Sequence, residues 1–375
     1  MSPLHRAPEG GAASPAPPAP PPAADSVPVG IDDAGVTNWF RQHVPGAVPP
    51  LTYDLVAGGR SNLTYRVTDA AGGVYALRRP PTSHVLPTAH DMAREYRVMT
   101  ALGPTAVPVP ATYGLCQDPE VNGAPFYVME FVEGHILRDQ AAAESAFDRE
   151  TRSRIGDEMA DTLAALHAVD PDRVGLGDLG RRGGYIERQL RRWTEQFRQM
   201  AGPDDDHRSL VEQVGAALAD AIPAPGDGRP GDVTIVHGDY RLDNVVLGAD
   251  GRVAAVLDWE ICTLGDPMAD VGLLMVYWAE PGDGDPFLGQ APPTNASGFA
   301  TRREVLARYA EKSGRDVSQV GFYMAFGYWK LACILQGVYA RYVAGAGAGD
   351  AGSVDSFPKT VARLAQLAAA TLEGS

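Results

Sequence analysis

The sequence predicts an α+β chain of two lobes, a small antiparallel β-rich lobe followed by a larger, mainly helical one. Three observations carry that expectation. Five short β-rich runs and one long helical pattern crowd into residues 30–133. Beyond Glu133-Gly134 the apolar spacing changes to helical stripes. A length of 375 residues suits about two units of roughly 150 residues each.

The elements follow in order. Nine prolines fall between Pro3 and Pro28, interleaved with alanine and glycine. That stretch has no apolar periodicity to offset the entropy of ordering, so residues 1–29 are expected to form a disordered tail. It lacks the apolar run of a secretory signal. A short helix at 37–43 ends at Pro45. Strand-like runs at 51–56, 62–69 and 73–79 are separated by Gly58-Gly59 and Ala71-Gly72-Gly73. A helix at 90–102 stops at Gly103-Pro104, and two further runs, 111–115 and 126–131, flank a turn at Asn122-Gly123. The small lobe thus spans 30–133 and the large lobe 134–375.

In the large lobe, Ile155, Met159, Leu163 and Leu166 mark one helix, and Ile186, Leu190, Trp193 and Phe197 mark another over 185–200. A third amphipathic pattern covers 209–221. Two short β-rich runs, 233–236 and 253–257, then bracket the densest motif of the chain. The apolar segment 322–335 is too short for a bilayer and carries Lys330, so it reads as a buried helix and no membrane contact is expected.

Composition removes several classes of function. Lys plus Arg number 32 against 47 Asp plus Glu, a net charge of −15, which disfavours a nucleic-acid partner. The three cysteines, Cys116, Cys262 and Cys333, are too scattered for a disulfide framework or a zinc cage. A cytoplasmic protein is expected. Gly175-Leu176-Gly177-Asp178-Leu179-Gly180 matches G-x-G-x-x-G but follows a helix, so it lacks the strand a dinucleotide fingerprint needs. No P-loop sequence occurs.

The chemistry is concentrated in His237-Gly238-Asp239-Tyr240-Arg241-Leu242-Asp243-Asn244 and in Asp258-Trp259-Glu260. A strand–loop–strand–turn–strand course can bring Asp239, Asn244 and Asp258 to one rim. The oxygens of Asn244 and Asp258 are hard donors suited to magnesium, which takes one or two protein oxygens beside substrate phosphates. Asp239 then remains to orient an attacking hydroxyl and accept its proton. Phosphoryl transfer asks mainly for positioning and charge neutralisation, and this set supplies both.

The H-G-D-x-x-x-x-N run followed by D-W-E resembles the signature of the aminoglycoside phosphotransferase and choline kinase family, small-molecule relatives of protein kinases. The resemblance implies a protein-kinase-like fold that uses ATP and magnesium to phosphorylate a hydroxyl of a small molecule. It makes Asp239 the catalytic base and gives Asn244 and Asp258 to the metal. His237 is expected to support the loop. The turn Gly58-Gly59-Arg60-Ser61-Asn62 would lay backbone N–H groups over phosphate, making Gly59, Ser61 and Asn62 nucleotide-binding candidates. Arg78 stands where the family places its phosphate-pairing lysine, chosen over Arg79 because strand alternation puts it on the face of Ala76. Glu95 on the next helix is its carboxylate partner. Glu130 and Val132 are assigned to adenine by position alone, through backbone groups, and Asp266 and Asp270 are expected to brace the catalytic loop.

For the acceptor, residues 181–198 hold six arginines against Glu187 and Glu195. Either they form a solvated face with pairs such as Glu187–Arg191, or they meet an anionic acceptor. The segment 184–193, with the stretch after Asp258, is similar to the kinase-like domain fused to acyl-CoA dehydrogenases of the family member 10 and 11 type. That resemblance covers residues 44–375, with no dehydrogenase domain beside it, and implies a phosphate-bearing hydroxylated acceptor such as a hydroxyacyl-CoA. An antibiotic kinase is the alternative, and a non-catalytic nucleotide-binding pseudokinase is a second, raised by arginine in place of lysine at position 78. A protein kinase is disfavoured because the helices over 185–221 would crowd a peptide site and no A-P-E follows Asp258. The acceptor, the choice of ATP over GTP and the oligomeric state stay open at this level.

Overall fold

In the computed structural model the described residues are 27–58, 62–82, 91–202, 205–224, 233–284, 291–344 and 356–374. Most of the proline-rich tail, and Gly59 and Ser61, lie outside them.

The small lobe is a five-stranded antiparallel sheet of order β1-β2-β3-β5-β4. Its strands are β1 (Leu51–Gly58), β2 (Leu63–Asp69), β3 (Val74–Arg79), β4 (Thr112–Cys116) and β5 (Phe126–Glu130). The β2–β3 turn is tight because the Asp69 carboxylate accepts the N–H groups of Val48, Ala71 and Gly73. Those three bonds hold its pKa below the usual carboxylate range.

Helix α1 (Asp33–His43) begins at Asp32, whose side chain caps Gly35 N–H, and ends at Val44. It starts four residues before the sequence pattern places it, because the cap, not the apolar spacing, sets its N-terminus. Its Val36, Trp39 and Phe40 cover one face of the sheet with Tyr65, Leu77 and Phe126. Helix α2 (Met92–Leu102) packs on the other face, where Ala76, Tyr127 and Met129 join the core of the large lobe. The turn expected at Asn122-Gly123 is instead a single helical turn, α3 (Pro119–Asn122), closed by Gly123 at φ +70°. Val29, placed in the tail by composition, has an exposed side chain, but its carbonyl is tied to the sheet, accepting from Tyr65 Oη at 2.5 Å.

In the large lobe come α4 (Gln140–Ala146), α5 (Arg149–Ala168), α6 (Tyr185–Met200) and α7 (Arg208–Asp220). Four short strands follow: β6 (Thr234–Val236), β7 (Val245–Leu247), β8 (Val253–Val256) and β9 (Thr263–Gly265), paired β6–β9 and β7–β8. The chain closes with α8 (Pro267–Tyr277), α9 (Arg302–Ser313), α10 (Val320–Val343) and α11 (Phe357–Glu373). Helix α10 buries apolar residues on most of its circumference, including Phe322, Phe326, Trp329 and Cys333. Among the described residues no helix is long and apolar enough to cross a membrane. The stretch 175–180 runs through turns, with no strand before it.

Candidate active site

Strand β6 delivers the chain to the H-G-D motif, and one buried carboxylate shapes the loop beyond it. Asp270, on α8, accepts from His237 N at 2.7 Å and from Gly238 N at 2.8 Å. His167 also faces it, Nε2 at 3.4 Å. These donors outweigh burial and hold the Asp270 pKa low. His237 is fully buried. Its Nε2 donates to Leu257 O at 2.8 Å and its Nδ1 accepts from Asp239 N at 3.2 Å, so both nitrogens brace the loop. Gly238 has φ +87°, and its carbonyl accepts from Lys330 Nζ at 3.2 Å, a buried amine brought in by α10. Burial pulls the Lys330 pKa down, against the pull of Asp239 and Asp270.

Asp239 is then fixed from two sides. Asn244 Nδ2 donates to its carboxylate at 2.9 Å and to its carbonyl at 2.8 Å, and Arg241 Nε lies 3.3 Å from the carboxylate. The Asn244 amide nitrogen is thereby committed to Asp239. Leu257 N donates to Asn244 O at 2.8 Å, and Asp258 follows directly at φ +64°, the one non-glycine residue with positive φ among those described. This left-handed backbone is a costly conformation for a side-chain-bearing residue.

The small lobe meets this rim through Arg78. Its Nη2 donates to Asp258 Oδ1 at 2.5 Å, and its Nε lies 3.0 Å from Glu95 Oε2, an ion pair without a linear hydrogen bond. Arg79 points to the opposite side of the sheet, where it donates to the carbonyls of Gly30 and Asn122. Glu95 is 1% exposed and also accepts from Tyr127 Oη at 2.9 Å and Asn62 Nδ2 at 3.2 Å. The same Asn62 nitrogen reaches Glu260 Oε2 at 3.2 Å, so the Asn62 side chain ties the lobes together. Its oxygen is buried without a partner. Desolvation lifts Glu95 to about 6 despite Arg78, and desolvation with Asp258 and Glu95 nearby lifts Glu260 to about 7.

At the inter-lobe connection, Glu130 N donates to Ala111 O at 2.7 Å and its carboxylate accepts from Ala111 N. Val132 follows just after the strand ends, half-buried. Asp266 does not touch the catalytic loop. It caps α8 through Met268 N and accepts from Tyr323 Oη at 2.6 Å, leaving the bracing to Asp270.

The arginines of 181–198 are largely engaged. Arg182 pairs with Asp172 and Arg198 with Glu212, while Arg188 donates to the carbonyls of Gly183 and Arg181. Arg192 lies over the Trp193 ring, and the Glu187–Arg191 pair is not formed among the described residues.

Three contributors escape a reading of the sequence. Arg241 sits inside the motif without a role assigned, yet it binds Asp239 and Asp243 and stacks 4.7 Å over the Tyr277 ring. Lys330 carried a signal, the one charge in the apolar segment 322–335. Tyr127 carried none. Beside Arg241 opens a cavity of about 280 Å³, bounded by Arg138, Asp243 and residues of α8.

Two lobes, a carboxylate–guanidinium–carboxylate bridge between them and a braced Asp–Asn pair define a kinase-like protein. The chain belongs to the APH phosphotransferase enzyme family, whose model matches residues 52–307. Over 306 residues it is 35% identical to acyl-CoA dehydrogenase family member 10 of Mus musculus, covering 81% of this chain and 27% of that protein. The chain spans 27% to 42% of the length of such curated relatives. A Ralstonia eutropha crystal structure, provisionally described as an aminoglycoside phosphotransferase, superposes with a TM-score of 0.76 at 35% identity, covering 92% of this chain and 99% of that one. Choline kinase from Cryptosporidium parvum shares the fold, with a TM-score of 0.63 at 13% identity over 92% of this chain and 96% of that one.

Proposed function

We propose that the protein transfers the γ-phosphate of ATP to a hydroxyl of an acyl-CoA-class acceptor. The observation that carries the transfer is the bridge Glu95–Arg78–Asp258 closing over an Asp239 held by Asn244. The donor set suits magnesium: Asp258 offers a carboxylate, and Asn244, its nitrogen engaged by Asp239, offers an amide oxygen. No group of three or more His, Cys, Asp or Glu is placed to hold a metal among the described residues, which fits a cation completed by phosphate oxygens. Magnesium, when bound, neutralises phosphate charge.

The chain's own residues do the rest. Asp239 accepts the hydroxyl proton, oriented by Asn244 and Arg241. Arg78 presents a guanidinium to phosphate while Glu95 keeps it in the cleft, and its fork replaces the point charge of lysine. Gly59, Ser61 and the backbone at Asn62 cover the phosphates, and the backbone at Glu130 and Val132 receives adenine.

For the acceptor, support comes from relatives named for acyl-CoA and from two cations lining one cavity, Arg138 and Arg241, the second of which also contacts Asp239. Asp243, the carboxylate beside them, is held by Arg241, which leaves no unpaired anion there for a polycationic antibiotic. The description of the Ralstonia protein favours the second reading, an aminoglycoside kinase. Phosphate transfer measured with ATP and magnesium across hydroxyacyl-CoA thioesters and kanamycin-type substrates decides. Turnover of the thioesters supports the proposal, and turnover of kanamycin alone overturns it.

A further inference from the structure

The cavity beside the catalytic loop has an unusual division of labour among its walls. Two of its three charged walls are already used by one another, while Arg138 is an exposed side chain: Arg241 pairs with Asp239 and with Asp243 at 2.9 Å, and its guanidinium covers the face of Tyr277. Burial raises Asp243's pKa while Arg241 opposes it. Most of what is left for a ligand is apolar, supplied by Leu137, Leu242, Leu274, Tyr277, Trp278 and Pro293. Trp278 is locked by donating Nε1 to Ala300 O at 2.7 Å, and Leu274 is buried on α8, so this wall is preformed.

Position ties the cavity to the chemistry. Arg241 is a shared wall, its Nε 3.3 Å from both Asp239 oxygens. A hydroxyl within about 3 Å of Asp239 therefore lies at the cavity's edge, and whatever its carbon carries enters. The one cavity carboxylate, Asp243, is held by Arg241, so nothing here attracts a cationic group.

We infer that this cavity receives an apolar chain attached to the hydroxyl-bearing carbon, and that it selects acceptors by the length of that chain. At about 30 Å³ for a water-sized group, 280 Å³ holds on the order of nine such groups, a medium-length chain. The inference rests on the acyl-CoA reading of the function and adds where the chain lies and what limits it.

The test is a series of hydroxyacyl-CoA thioesters with one headgroup and one hydroxyl position, differing only in the chain beyond the hydroxyl. With the whole 375-residue chain, kcat/KM is expected to rise about fourfold per methylene until the cavity fills, and then to stop rising. Pro293→Trp, at a half-buried rim position, is expected to move that break to shorter chains while nucleotide affinity and Tm stay unchanged. Should that variant misfold, the wild-type series decides alone. Asp239-dependent transfer with no dependence on chain length, or a break unmoved in folded Pro293→Trp, overturns the cavity assignment and leaves the function standing. Failure to phosphorylate any thioester, with Asp239-dependent transfer to another class of hydroxyl, overturns the function itself and this inference with it.

Discussion

Arg78 on β3 donates to Asp258, 180 residues further along the chain, at 2.5 Å, while its Nε faces Glu95. One guanidinium thus joins the sheet, helix α2 and the rim of the large lobe. A lysine is a single point charge on a flexible stem and cannot serve both carboxylates with fixed geometry. Arg78→Lys is expected to keep activity with kcat/KM for nucleotide down about tenfold, the worth of one charge-assisted hydrogen bond near 1.5 kcal/mol. Arg78→Met, which removes the charge and leaves Glu95 to take up a proton, is expected to lose roughly 10²–10³ in kcat. Steady-state kinetics with varied ATP check both, and wild-type kinetics in Arg78→Met would remove Arg78 from the site.

Asp239→Asn keeps the shape of the side chain but accepts no proton. Turnover is expected to fall by roughly 10²–10⁴, while magnesium-dependent nucleotide binding persists. Calorimetric binding beside a transfer assay separates the two. Undiminished transfer would refute the base assignment, and nucleotide binding without transfer in the unsubstituted protein would favour a pseudokinase.

The legible parts of this molecule were those written locally. The H-G-D and D-W-E runs are nearly contiguous, and alternation along a strand separates Arg78, facing the cleft with Ala76, from Arg79, facing α1. Helix α6 is bounded as its stripe suggests, at Tyr185–Met200. The hidden parts depend on tertiary partners. Strands β7 and β9 are three residues each, too short to show a period, and exist because β8 and β6 pair with them. Helix α4, rich in alanine, has no apolar stripe; Asp139 caps it and it packs near Pro293–Asn295. The cavity joins segments near positions 138, 242, 277 and 293, which no spacing in the sequence connects.

Lys330 lies beneath the catalytic loop, its amine donating to Gly238 O from within α10. Lys330→Met fills similar space without charge, but leaves the Gly238 carbonyl unpaired, at a cost of about 1–3 kcal/mol. It also removes a buried cation that interacts electrostatically with Asp239. A Tm lowered by several degrees, with kcat reduced more than nucleotide affinity, is the expected outcome by thermal melts and kinetics. A variant matching wild type in both would make Lys330 incidental.

Glu95 and Glu260 give the cleft a pH dependence of definite sign. Desolvation raises Glu95 to about 6 and Glu260 to about 7, above the 4.5 of an ordinary glutamate. A folded state that holds these protons more tightly than the unfolded chain is stabilised below about pH 4.5. That stabilisation is lost as pH rises through 6 and 7. For Glu95, almost wholly buried, the shift corresponds to on the order of 2 kcal/mol. His167, buried and held below its usual pKa, works in the opposite sense, its contribution growing as pH rises toward 6.5. The comparison that isolates the carboxylates is therefore between wild type and Glu260→Gln in metal-free protein. The two should melt alike near pH 4, where Glu260 is protonated in both the folded and the unfolded chain, and separate by pH 8, with the glutamine variant the more stable. Parallel melting curves across that range would show that Glu260 titrates as an ordinary surface carboxylate.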